Sequence, residues 1–264
     1  NLSLTGTWLA KAKQWQSTLT ESDISFKGKQ WQVDKNVEIN YHQATNSLWI
    51  EQHCWQGKSI LLCSDTDITI ANSGEIALLA DIELKDVGDL LIPDDFKVTA
   101  KLHNKITLKW LPSQPINWSV ATALSAGNIK LLNAKNLKEQ PLTIAWQKGE
   151  AAFHLNNKVL TSHLLLTPQI RPEQQTQTKP TLVDINTKID FANDNRLSGK
   201  ILIDDLNLFL LKANLSEVSQ LNGLLNSNVN LSGSLSSPNF NGNMAITNTT
   251  VSFIRSQNAL DNVG

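Results

Sequence analysis

The sequence predicts an all-β chain. The expected form is an elongated, curled antiparallel sheet (a β-taco or groove) with an apolar concave interior and one short amphipathic helix near residues 208–221. Three observations predict it. Apolar residues recur at every second position through most of the 264 residues, which places them on one side of an extended strand. Each run is short and ends in Asn, Gly, Asp or Pro, the residues that turn a chain. Charged residues make up only 18%, and the outward positions are filled by neutral polar residues. Thr and Asn among them support helices poorly.

The alternation begins with Leu2, Leu4 and Trp8. Further on, Gly57-Lys58-Ser59 reads as a turn between two short strands, which sets Cys54 and Cys63 on neighbouring strands. A disulfide is the expected outcome in an oxidising compartment, two buried thiols the alternative. Only His53 lies nearby, too few ligands for a structural zinc, which takes four.

The candidate lining of the groove follows in order. Ile76, Leu78, Ile82 and Leu84 alternate, then Val98 and Leu102, Ile106 and Leu108, Trp118 and Val120. Ile144, Phe153 and Leu155 come next, then Val183, Ile185, Ile189 and Phe191, and then Ile201 and Ile203. Val229 and Leu231, Met244 and Ile246, and Val251 and Phe253 complete the set. Turn signals such as Asn72-Ser73-Gly74, Lys148-Gly149 and Ala192-Asn193-Asp194-Asn195 separate the runs. That arrangement describes a meander of antiparallel strands with one apolar face.

The rhythm breaks in few places. Residues 86–93 read as a loop or a helical turn stopped by Pro93. Between Leu206 and Leu225 the apolar spacing mixes three and four, which predicts the helix within 208–221, with Asp204 or Asp205 as its cap. The stretch 172–180, PEQQTQTKP, has no hydrophobic residue, and all eight Trp precede it. It divides an N-terminal segment, 1–171, from a C-terminal one, 181–264. A dozen or more strands of about 5–6 residues cannot stay flat and open, because strand twist curls large sheets. The apolar face must be met by closure, a second sheet or a ligand.

Composition removes several functions. A net charge of −1 lacks the field that nucleic-acid binders rely on, and the scattered basic residues form no polybasic run. No apolar run reaches the roughly 18–20 residues of a spanning helix. The N-terminus has neither Met nor a signal sequence, and alternation is already under way at both ends, so a piece of a longer chain is expected. His42, His53, His103, His154 and His163 are dispersed, and no nucleophile elbow, phosphate loop or dinucleotide fingerprint occurs. Asp65/Asp67 and Asp94/Asp95 fall in turns. No enzyme, cofactor or metal is expected. Trp31, Trp49 and Trp55, near strand ends, offer the other reading, a stacking platform for a glycan-binding domain. A purely structural β-rich spacer is a third.

The segment from Ile203 to Gly264 carries more than periodicity. The run Leu206-Asn207-Leu208-Phe209-Leu210-Leu211 is followed by Leu221-Asn222-Gly223-Leu224-Leu225 and Val229-Asn230-Leu231-Ser232-Gly233-Ser234-Leu235. Ser237-Pro238 and Asn241-Gly242-Asn243-Met244-Ala245-Ile246 come after. This succession resembles the TamB family of the bacterial translocation and assembly module, within the AsmA-like superfamily. The Cys54/Cys63 pair also looks like one found in that family, whereas residues 1 to about 170 share only the alternating style.

The resemblance implies a periplasmic protein anchored in the inner membrane by a segment absent here. Its partners would be phospholipid acyl chains, an outer-membrane barrel of the Omp85 class (TamA-like) reached through the full-length protein, and unfolded outer-membrane protein clients. It implies a β-groove bridging the membranes, which shields acyl chains during phospholipid transport and supports outer-membrane protein assembly. The residues are compatible with that. The alternating positions are almost free of charge, as a conduit needs, because a buried charge costs several kcal/mol.

Overall fold

The computed structural model describes residues 1–26, 28–86, 96–131, 142–168, 182–208, 218–253 and 259–261. They form twenty strands. The first nine are β1 (Leu2–Leu9), β2 (Gln14–Phe26), β3 (Lys29–Val33), β4 (Val37–His42), β5 (Ser47–Ile50), β6 (Cys54–Gly57), β7 (Ile60–Ser64), β8 (Ile68–Ile70) and β9 (Gly74–Glu83). Then come β10 (Phe96–Thr99), β11 (Lys101–Trp110), β12 (Asn117–Leu124), β13 (Gly127–Leu131), β14 (Leu142–Asn156) and β15 (Val159–Pro168). The last are β16 (Leu182–Asp190), β17 (Arg196–Asn207), β18 (Val218–Ser234), β19 (Ser237–Phe253) and β20 (Ala259–Asp261). The chain divides into two units: Asn1–Glu83 with Leu102–Thr122 and Phe153–Lys158, and Leu84–Lys101 with Ala123–Ala152 and Val159–Gly264.

In the first unit a seam crosses the sheet. The first half of β2 pairs with β1 and β4, Leu19 opposite Val37, and its second half pairs with β3, Asp23 opposite Gln32. The ladder β4–β5–β8 lies on one side of the seam and β3–β6–β7–β9 on the other. Residues 34–36, 51–53 and 65–67 carry the chain across. Backbone amides that lose a ladder partner there need another acceptor, and side chains supply it. Ser22 Oγ accepts from Val33 N at 2.9 Å, and Asp34 Oδ1 from Cys54 N at 2.9 Å. Glu51 Oε2 accepts from Glu38 N at 3.2 Å, Ser64 Oγ from His53 N at 3.1 Å, and Asp67 Oδ1 from Gln52 N at 2.8 Å. Lys35 Nζ reaches Glu51 Oε1 at 2.6 Å, and that hydrogen bond holds the Glu51 carboxyl below its ordinary range. Val37, 1% exposed, packs beside this seam.

Cys54 and Cys63 stand directly opposite each other on β6 and β7 and are bonded, with an S–S distance of 2.04 Å. The next pair along the ladder, Trp55 and Leu62, points to the other face. The disulfide therefore staples this hairpin from the side away from the apolar strip.

The second unit is dominated by the meander β15–β16–β17–β18–β19, with β20 touching β19 only at Thr250–Ser252. Its most enclosed apolar cluster is Leu208, Val218 and Leu221, with Leu225 and Val251 against them. Gly223, at φ +137°, lets the chain pass under Leu208: a Cβ there would sit 3.1 Å from Leu208 Cδ1.

The structure differs from expectation in two respects. Val218–Leu221, the end of the expected helix, is the start of β18, while residues 209–217 lie outside the described residues. Asp205 does not cap a helix. It sits at a bulge in β17 with φ 52°, exchanging hydrogen bonds of 3.0 Å with the Asn226 side chain. The expected divider, 172–180, and Asp94/Asp95 lie outside the described residues.

Candidate functional site

Register decides which side chains share a face, because successive residues of a strand point oppositely. In the second unit Leu164 faces Ile185, Ile185 faces Ile201, Ile201 faces Val229, and Val229 faces Gly242. Stepping by two along each strand extends this row. Val183 and Ile189, Ile203 and Leu197, Leu231, and Met244, Ile246 and Phe240 all fall on the same side. Beyond a bulge, Val251 opposite Leu221 continues it. The face has polar members only in Ser and Thr, such as Ser162 and Thr187, bonded to each other at 2.6 Å. None of its positions on β15–β19 carries a charge.

The opposite face has the contrary character. Asp184, Asn186 and Lys188 on β16 lie there, with Lys200 and Asp204 on β17. Asn228 faces Asn243 and Asn230 faces Asn241. His163 Nε2 lies 3.1 Å from Asp184 Oδ1, and Asn186 donates to the same oxygen at 2.7 Å. At the strand end, the hydrogen bond from Asn193 holds the Asp190 carboxyl below its ordinary range. A one-residue slip would exchange these two faces, so the pattern fixes the register.

Most of the apolar face is half-buried rather than enclosed. It opens further on β19, where Phe240 is 65% and Met244 66% exposed. Ile246 and Leu235 on the same strand and its turn are exposed as well, at 43% and 49%.

The first unit carries a second apolar strip. Ile82 faces Ile60, Ala80 faces Leu62, and Leu62 faces Trp55; Ile76 and Leu78 extend the row along β9. On β11, Leu102, Ile106 and Leu108 are half-buried while Lys101, His103, Lys105 and Lys109 are exposed. Trp118 and Val120 on β12 are half-buried too. Polar pins interrupt this strip: Thr122 Oγ1 donates to Asn104 Oδ1 at 2.7 Å, and Asn104 Nδ2 to Ala80 O at 3.0 Å.

Other expected lining residues fall differently. Phe191 lies in the turn 191–195, 44% exposed, and Leu84 is buried in a helical turn at 84–86 instead of on β9. Val98 pairs with Ile129, which pairs with Ile144. Leu155 is half-buried and Phe153 exposed. Phe253 pairs with Val218 near the far end of β18. Trp31, Trp49 and Trp55 are half-buried, and the Trp31 ring lies over Gly57. Sequence reasoning missed the amide acceptors Asp34, Glu51 and Asp67; acidic residues in turns are common enough to give no signal.

No group of three or more His, Cys, Asp or Glu among the described residues is placed to hold a metal. No helix among them is long and apolar enough to cross a membrane.

A family model described as TamB, N-terminal domain, matches residues 1–246. The chain belongs to the TamB family. The match covers the Trp-rich strands as well as the glycine- and proline-marked end, so the kinship is far wider than the C-terminal segment that first suggested it. The chain is also 24% identical over 251 residues to the translocation and assembly module subunit TamB of Haemophilus influenzae, covering 94% of this chain and 18% of that relative. It thus spans about a fifth of the relative's length. TamB membership accords with a chain that is not an enzyme. No solved structure matches.

Proposed function

We propose that this TamB domain offers its uncharged sheet face to phospholipid acyl chains, as one stretch of a periplasmic path between the inner and outer membranes. The observation that carries this reading is the register of β15–β19, which collects aliphatic side chains from five strands on one half-exposed face and every charge on the other. Removing apolar area from water contributes about 25 cal/mol per Å², or about 0.8 kcal/mol per CH₂ of an acyl chain. A chain lying along the strip gains this without any fixed polar contact and can therefore move along it. The full-length protein would be anchored in the inner membrane and act in the translocation and assembly module, with a TamA-like barrel as its outer-membrane partner.

A second client fits one further feature. On its outer side β19 is paired, among the described residues, only at Thr250–Ser252. The long edge from Ser237 onward can accept an incoming strand by backbone pairing, which suits an unfolded outer-membrane protein.

The test is a photoreactive residue at Ile201 of the full-length protein in cells, with Leu202 as its neighbour on the other face. Crosslinking to phospholipid from Ile201 and not from Leu202 supports the reading. Equal labelling, or none from Ile201, refutes it.

A further inference from the structure

The first unit has a second surface, at the ends of its strands. Five short connections, at 10–13, 43–46, 71–73, 111–116 and 157–158, lie on one rim. Hydrogen bonds join them into a row. Gln43 N donates to Lys13 O at 3.0 Å, Trp110 Nε1 to Ala71 O at 2.9 Å, and Asn157 N to Asn117 Oδ1 at 3.2 Å. Between the first and last of these, Leu48 and Ile70 are ladder partners, which brings the ends of β5 and β8 together.

The chemistry of this rim is one-sided. None of the five connections contains Asp or Glu, whereas Lys11, Lys13 and Lys158 stand there exposed and in no ion pair among the described residues. The seam side of the same unit is where the carboxylates gather, Asp34, Glu51, Asp65 and Asp67 among them. The rim also holds large apolar side chains out in water: Trp8 is 48% exposed, Ile70 42%, Leu111 43% and Ile116 57%. Strand ends and the connections between them are ordinarily polar, so apolar side chains there beside free lysines mark an interaction surface. The Trp110 hydrogen bond ties the base of the 111–116 loop, next to Leu111, to the 71–73 turn.

We propose that this rim docks on an anionic bilayer surface, Leu111 and Ile116 entering the headgroup region and the three lysines meeting lipid phosphates. Apolar side chains flanked by Lys, with no carboxylate in the five connections themselves and the neighbouring Glu75 paired with Lys109 at 3.5 Å, are the combination that interfacial membrane binding uses. The inference is separate from the acyl-chain reading, because its residues sit at strand ends and not on the sheet face; either can fail alone.

The test uses the full-length protein with Ser113→Cys carrying an environment-sensitive fluorophore, Cys54 and Cys63 being bonded to each other. It is reconstituted in phosphatidylcholine vesicles with or without phosphatidylglycerol. The expected result is blue-shifted emission, quenched by brominated acyl chains, only where phosphatidylglycerol is present. A label at Lys58→Cys, at the opposite end of the strands, stays unaltered. Lys11→Gln with Lys13→Gln weakens the response roughly thirtyfold. A Ser113 label that stays water-exposed on both vesicles overturns the proposal. So does a label shielded without quenching, which marks a protein cover, or quenching indifferent to phosphatidylglycerol and to the lysines.

Discussion

Ile185 on β16 and Ile201 on β17 are direct partners across an antiparallel ladder, and both point to the side of the sheet that holds no charge. One residue further along, Asp184 and Leu202 are partners on the reverse side. Two adjacent rungs of one ladder thus present opposite chemistry.

The disulfide lies on the face away from the apolar strip, so it contributes stability and leaves the strip unaltered. Replacing Cys54 and Cys63 together by Ser removes a crosslink closing nine residues of sequence separation, and the loop-entropy relation puts the loss at about 2.5 kcal/mol. Urea unfolding with and without reductant measures it. The double variant should lose stability while keeping whatever lipid the wild type holds.

Glu51 is held in its charged form by Lys35 and by the Glu38 amide. Its folded-state pKa is depressed, so its support for the seam is complete above the ordinary glutamate range. That support is lost as pH falls through the lowered value. The protection factor of the Glu38 amide against hydrogen exchange, taken relative to its intrinsic rate at each pH, should fall on acidification in the wild type. In Glu51→Gln this acid dependence should be absent.

Gly223 occupies a φ of +137°, and a Cβ there would meet Leu208 Cδ1 and Thr249 Oγ1, each at 3.1 Å. Gly223→Ala should cost about 1–3 kcal/mol through backbone strain. Loosening of the Leu208–Val218–Leu221 cluster, read by exchange of the Leu221 amide, should accompany the loss.

Much of this was legible from alternation. Because a strand has a period of two, the sequence names the occupants of a face once the register holds, and Val183, Ile185, Ile201, Ile203 and Val229 fall where alternation puts them. It misled where bulges shift the phase. Val218 and Leu221 are three apart yet both buried, because the ladder slips between Val218 and Gln220. That slip imitates helical spacing at 218–221. Alternation also runs past strand ends without warning: Phe191 follows Asp190, the last residue of β16, into a turn. The Cys54–Cys63 bond was readable because only the turn Gly57-Lys58-Ser59 and a few strand residues separate the thiols. The seam was not, since its amide acceptors come from residues 11 to 20 positions away in sequence, and only after the ladders form.

Native mass spectrometry of this chain, expressed in bacteria and prepared without detergent, tests the central claim most directly, with Ile201→Asp compared against Leu202→Asp. The account predicts bound phospholipid in the wild type, its loss in Ile201→Asp, and its retention in Leu202→Asp. A stable, lipid-free wild type, or equal loss in both variants, would contradict it.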